Sequence, residues 1–261
     1  MTEILHTVDF ISVTYNHPSK MVQEMVDSIR TVMQYCPHLE YKIIIQDNSD
    51  TKKEKINVIE RCDNVNFSST NLGYCGGNNT AIEHSSAEYI VIVNPDIKIN
   101  NSLCVDWMIG TAKLYDCIVG RLVGTNKWYT YSSSFPTDKK YDPKQLPFFY
   151  DQPTLPKPGN WRPFKYIDGS LMCFNKKIWK DIGGFDEDIF PGYFGENTFV
   201  FNAFLKGYKI RDARIEKYYD HTSVHKHQKM DQIKIWSQQG RELFYEKYAL
   251  INWAKFLEYL G

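Results

Sequence analysis

The chain has no surplus of either charge: 31 Lys and Arg balance 31 Asp and Glu over 261 residues. That argues against nucleic acid as the main partner, because phosphate backbones are gripped by an excess of positive charge. No apolar run approaches the roughly 20 residues that span a bilayer, so no transmembrane segment is expected. The N-terminus also lacks the apolar core of a secretory signal. The expectation is a soluble, cytoplasmic protein, at most peripheral to a membrane. Six cysteines are present, none in C-x-x-C spacing. This speaks against a zinc site or a disulfide framework and for free thiols in a reducing compartment. No G-x-G-x-x-G follows the first strand and no Gly-Lys-Ser/Thr closes a phosphate loop, so neither a dinucleotide fold nor a Walker-type site is indicated. Internal repeats and low-complexity segments are absent as well.

What is present centres on Tyr89-Ile90-Val91-Ile92-Val93-Asn94-Pro95-Asp96. The continuous apolar run reads as a strand buried on both faces. Pro95 removes a backbone donor and stops it. Asp96 is left at the strand's C-terminal end, where open α/β sheets place ligands. Taken alone, an Asn-Pro-Asp turn explains these residues as well as a cation site does.

Upstream, residues 8–13, 41–46 and 65–68 read as strands. A helix follows the first, with Val22, Met25, Ile29, Val32 and Met33 on one face, and a short helix is expected over 52–61. The Gly-rich stretch Asn71-Leu72-Gly73-Tyr74-Cys75-Gly76-Gly77-Asn78-Asn79 opens a further helix. A helix over 103–115 and a strand over 118–123 close this half. Alternating strand and helix implies a mostly parallel sheet, an α/β fold with right-handed crossovers. Seven of the eleven prolines then fall between Pro136 and Pro163, in a long aromatic loop that fits either packing or a sugar platform. Strands are expected over 166–174, 208–212 and 215–219, and helices over 176–181 and 196–206. Beyond His225 and His227 the chain reads as helical to its end, and Gly240 is a possible break.

Three strand ends carry polar loops: Thr14-Tyr15-Asn16, Asp47-Asn48-Ser49-Asp50 and Asn94-Pro95-Asp96. A parallel sheet gathers them at one edge, where the Gly-rich loop joins them. Carboxylates, amides and exposed backbone N–H groups suit a nucleotide. Asp47 fits an Asx turn equally well, and Glu196 fits a first-turn acid facing the helix dipole.

The ordered set of segments resembles the inverting family 2 glycosyltransferases of GT-A fold, in particular their rhamnosyltransferase-like branch. It comprises Val13-Thr14-Tyr15-Asn16, Gln46-Asp47-Asn48-Ser49, Asn71-Leu72-Gly73 through Gly77-Asn78, Asn94-Pro95-Asp96 and Asp168-Gly169-Ser170. Gly183-Gly184-Phe185-Asp186-Glu187, Tyr193-Phe194-Gly195-Glu196 and Gly207-Tyr208-Lys209-Ile210 complete it. The resemblance covers roughly residues 8–225. It implies a hexosyltransferase of glycan biosynthesis that uses Mn²⁺ or Mg²⁺ and a UDP-, dTDP- or GDP-linked sugar, with a glycan or glycoconjugate acceptor.

By that resemblance Thr14 and Asp47 hold the base and ribose, and Tyr15, Asn16, Asn71, Gly73, Gly77, Asn78 and Asn94 belong to the nucleotide and donor pocket. Asp96 binds the metal, with His221 as a further metal or phosphate contact. Gly169, Gly184, Phe185 and Asp186 lie on the acceptor side, and Glu196 is the catalytic base. Two departures stand out: Asn94 replaces the first acid of the family's D-x-D, and Asn197 stands in the usual acidic pair. The implied layout is a GT-A domain over 1–225, with a donor half (1–125) and an acceptor half (126–225), followed by a helical segment over 226–261. The rival readings are a sugar-phosphate nucleotidylyltransferase and a non-catalytic carbohydrate-binding relic of the fold.

Overall fold

The computed structural model describes residues 6–49, 62–123, 166–189, 192–222 and 230–249, with 252 and 255. The expected helix over 52–61, the Pro-rich loop over 136–163, His225 and His227 lie outside the described residues.

The element order is β1 (His6–Thr14), α1 (Ser19–Met33), β2 (Leu39–Asp47), β3 (Asn64–Phe67), α2 (Gly73–Glu83), β4 (Tyr89–Val93), β5 (Ile97–Ile99), α3 (Leu103–Tyr115) and β6 (Cys117–Val123). Then come β7 (Tyr166–Asn175), α4 (Lys176–Ile182), α5 (Gly195–Leu205), β8 (Lys209–Asp212), β9 (Tyr219–His221) and α6 (Met230–Phe244). A π-helical turn, Tyr245–Ala249, continues α6.

Seven strands form one sheet in the order β3-β2-β1-β4-β7-β6-β8. All its pairings are parallel except those of β7, which runs antiparallel to both β4 and β6. The C-terminal ends of β1, β2, β4 and β6 therefore share one edge, and β7 begins there.

Alternation along β1 sends Phe10 to one face and Ile11 to the other. On the Phe10 face lie α1, through Val22, Met25, Val26 and Ile29, and α3, through Cys104, Val105 and Met108. On the Ile11 face lie α2, α4, α5 and Phe244 of α6. Burial pushes the Cys36 and Cys104 thiols up to about 12, so these cysteines act as small apolar packers.

Several expectations are corrected. The strand expected over 215–219 begins only at Tyr219: a 3-10 turn over Glu216–Tyr218 precedes β9. Strand β5 was not anticipated. Gly240 does not break α6. A Cβ there would sit 1.9 Å from the Tyr193 carbonyl oxygen, so this glycine lets helix and loop touch.

Opposite the single residue Arg121 of β6, β7 carries four residues, 168–171, between the pairs Gly120↔Met172 and Leu122↔Ile167. The Asp-Gly-Ser motif is thus a bulge, a device that re-aims side chains beside a site. Asp168 Oδ1 accepts from Ser170 N at 3.0 Å and holds its shape.

Candidate active site

Register builds the first corner. Thr14 and Asp47 are neighbours on β1 and β2, and Thr14 Oγ1 donates to Asp47 Oδ1 at 3.0 Å. Ser49 N donates to the same oxygen at 3.0 Å, an Asx turn inside a buried setting. The two readings of Asp47 are therefore compatible: the turn is what fixes the carboxylate at the edge.

Asn16 takes a left-handed conformation (φ 53°), and its N–H donates to Ser49 Oγ at 2.8 Å. Tyr15 is 43% exposed, leaving its ring on the surface of the edge. Its N–H donates to His17 Nδ1 at 3.0 Å. Burial lowers the His17 pKa, against the pull of Asp96 and Asp47.

The Gly-rich stretch docks on this corner. Asn71 Oδ1 accepts from Gly73 N at 2.9 Å, and Gly73 (φ 67°) starts α2. Asn48 Nδ2 donates to the Gly73 carbonyl at 2.9 Å. A Cβ at Gly77 would lie 2.7 Å from Val13 Cγ1 and 2.8 Å from Asn48 Nδ2, so that glycine serves close helix–strand packing. Asn78 is fully buried: Nδ2 donates to the Tyr74 carbonyl, and Oδ1 has no partner among the described residues.

The second corner is the Asn94-Pro95-Asp96 turn. Asn94 N donates to the Ser170 carbonyl of the bulge at 2.8 Å. Strands β5 and β9 pair antiparallel with Ile97 opposite His221. This pairing brings His221 Nε2 to 3.2 Å from Asp96 Oδ2. Thr222 N also donates to the Asp96 carbonyl at 3.1 Å. The hydrogen bond to Asp96 raises the His221 pKa, and burial opposes it; Asp168 adds to the rise and Arg121 subtracts. Arg121 Nη1 and Asp168 Oδ2 stand 4.0 Å apart.

A carboxylate and an imidazole side by side are donors that Mn²⁺ accepts readily. Among the described residues, no group of three His, Cys, Asp or Glu assembles a complete metal cage. Such a half-site fits an ion held jointly with substrate phosphates.

The third corner carries Glu196, in the first turn of α5. A Cβ at Gly169 would fall 2.9 Å from Glu196 Cβ and 2.8 Å from the Tyr74 hydroxyl, so only glycine admits this approach. Tyr74 donates to the Gly169 carbonyl at 2.8 Å, and burial, then Glu196, pushes its phenol well above its usual value. Asn197 is buried, leaving Glu196 as the one carboxylate of its motif.

The Gly184–Glu187 segment is held rather than open. Asn79, on α2, accepts from Phe185 N (2.8 Å) and Trp179 Nε1 (2.9 Å) through Oδ1. Its Nδ2 donates to the Phe185 carbonyl (2.9 Å) and to Glu187 Oε1 (2.8 Å). Gly184 (φ 83°) is required because a Cβ would sit 2.8 Å from Asn79 Oδ1. Phe185, expected on the acceptor side, turns its ring into the core. The ring is 2% exposed and stacks on Phe199 with centroids 4.1 Å apart. Asp186 is likewise engaged, by Lys247 Nζ at 3.0 Å and the Tyr248 hydroxyl at 2.5 Å. It anchors the C-terminal helix, and Glu187 is an exposed acid of this loop.

His17, Asn48 and Asn79 were missed as contributors to the site. His17 and Asn48 stood within the strand-end loops, and Asn79 ended the Gly-rich stretch, but no spacing rule singled them out.

A mostly parallel sheet with polar strand-end loops at one edge, an antiparallel β7 and an acid presented by a helix across the bulge define a GT-A-type fold. The chain belongs to glycosyl transferase family 2, whose profile matches residues 9–156, more than half of its length. No curated protein matches.

Among solved structures, the chain is similar to mannosyltransferase PcManGT from Pyrobaculum calidifontis in complex with GDP-Man and Mn²⁺. The TM-score is 0.52 at 15% identity, covering 81% of this chain and 56% of that one. S. aureus TarS 1-349 in complex with UDP aligns at TM-score 0.50 and 16% identity, covering 82% and 59%. The catalytic domain of Drosophila beta1,4galactosyltransferase 7, in complex with xylobiose, gives TM-score 0.50 at 10% identity, covering 86% and 74%. These likenesses concern the fold. The chain spans little more than half the length of the first two. No helix among the described residues is long and apolar enough to cross a membrane.

Proposed function

We propose that this protein transfers a glycosyl group from a nucleoside diphosphate sugar to a hydroxyl of a glycan or glycoconjugate, with inversion at the anomeric carbon. The observation that carries this reading is the bulge of β7. One of its carbonyls, on Ser170, binds the Asn94 turn that carries Asp96, and its Gly169 abuts Glu196. Donor corner and base thus flank one short segment. Thr14 and Asp47 take the ribose and base end, Tyr15 the base face, and residues 1–125 form the donor half.

Asp96 and His221 would hold Mn²⁺ or Mg²⁺, which supplies charge neutralisation for the departing diphosphate. The rest of the step belongs to the chain's own groups. Glu196 accepts the proton of the acceptor hydroxyl as that oxygen bonds to the anomeric carbon. The bond from that carbon to the diphosphate oxygen breaks, and its electron pair leaves with the nucleotide. Glu187, fixed by Asn79, faces the acceptor and accepts from its hydroxyls. GDP-Man and UDP are bound in two of the similar structures. The branch resemblance adds a rhamnosyl donor.

A thermal-shift screen of UDP-, dTDP- and GDP-sugars with and without Mn²⁺ tests the reading, since a ligand that binds only the folded state raises its melting temperature. A metal-dependent rise with one donor, followed by slow hydrolysis of that donor, supports an enzyme. Binding without any turnover leaves the carbohydrate-binding relic.

A further inference from the structure

His17 occupies a place for which the roles above have no use. It follows Asn16, whose left-handed backbone is tied to Ser49, and precedes Pro18, which restricts its own backbone. The half-buried imidazole lies in the fields of both Asp47 and Asp96, the residues that end β2 and follow β4. The Tyr15 N–H donates to its Nδ1 at 3.0 Å. A nitrogen that accepts a hydrogen bond carries no proton, so the ring's proton resides on Nε2.

Two consequences follow. His17 is not a metal ligand in this conformation, because a ligating Nε2 would need to lose its proton while Nδ1 still accepts. Metal-binding histidines show the opposite arrangement, donating from the second nitrogen. His17 is instead an N–H donor oriented by the Tyr15 backbone, in the field of both carboxylates. Among the described residues, nothing else hydrogen-bonds to it.

An anion bound along this edge is repelled by Asp47 and Asp96 and needs donors between them. We propose that His17 Nε2–H is a specificity contact for the phosphate chain of the nucleotide, between the ribose corner at Asp47 and the metal corner at Asp96. The α1 N-terminus, two residues on and without a side-chain cap, adds positive potential to the same place. This rests on the reading of the strand edge as a nucleotide site.

The test uses the whole chain and whichever of UDP, GDP or dTDP raises the wild-type melting temperature. Its affinity is measured by calorimetry with EDTA, alongside the matching nucleoside by chemical-shift titration. His17→Ala should weaken diphosphate binding about tenfold, which is what losing roughly 1.4 kcal/mol means. Nucleoside binding should not change. His17→Gln, which keeps an N–H donor of similar reach, should recover most of the loss. Unchanged diphosphate affinity in His17→Ala overturns the proposal, as does an equal loss for nucleoside and diphosphate, which would make His17 a shaper of the Tyr15 loop. If the wild type binds none of the three nucleotides, it is the reading of the edge that fails.

Discussion

His221 and Asp96, far apart in sequence, meet at 3.2 Å because Ile97 and His221 are cross-strand partners in a two-stranded ribbon. The turn after β4 is thereby closed from the C-terminal half of the chain. A strand pair that short contributes little to stability, so its effect is to place an imidazole beside a carboxylate.

Asp96→Ala is expected to abolish the part of nucleotide affinity that depends on Mn²⁺ and to leave the fold intact, since Asp96 sits beyond the core strand. Titration of nucleoside diphosphate with and without Mn²⁺ checks this. A mutant that retains metal-coupled affinity would remove Asp96 from the site.

The same pair sets a pH dependence in metal-free protein. The hydrogen bond to Asp96 raises the His221 pKa above its ordinary 6.5. Its stabilisation is therefore complete below that value and is lost as pH rises through the folded-state pKa. Melting temperature measured upward from pH 6.5 should decline in the wild type, and His221→Gln should flatten that part of the decline. Identical profiles would show that the pair does not titrate in this range.

Asn79→Ala removes a side chain that makes four hydrogen bonds and leaves the Trp179 and Phe185 N–H groups without their acceptor. Stranding buried polar partners costs about 1–3 kcal/mol, visible as a lower denaturation midpoint. Because Asn79 also holds Glu187, transfer to the acceptor should fall further than donor binding does. Equal losses in both would mean that only α2 had loosened.

Glu196→Gln keeps the shape of the base and removes its proton-accepting function. Turnover is expected to fall on the order of a hundred- to ten-thousand-fold, with donor affinity nearly unchanged. Steady-state transfer alongside calorimetric donor binding decides it. Transfer at the wild-type rate would shift the role to Glu187, because Asp186 is already bound by Lys247 and Tyr248.

Local pattern determined much of this protein. The apolar run of β4, the strand of β1, the spacing of α1 and the bounds of α3 were all legible, because strand and helix patterns are written in neighbouring residues. Pro95 and the Asx turn at Asp47 marked where strands end, since turn chemistry is also local. Tertiary structure alone decided the antiparallel entry of β7 between β4 and β6 and the bulge at residues 168–171. It also decided the meeting of His221 with Asp96, the burial of Phe185 against Phe199 and the capture of Asp186 by the C-terminal helix. Each of these depends on which distant segment arrives as neighbour, and no period within one segment encodes that choice.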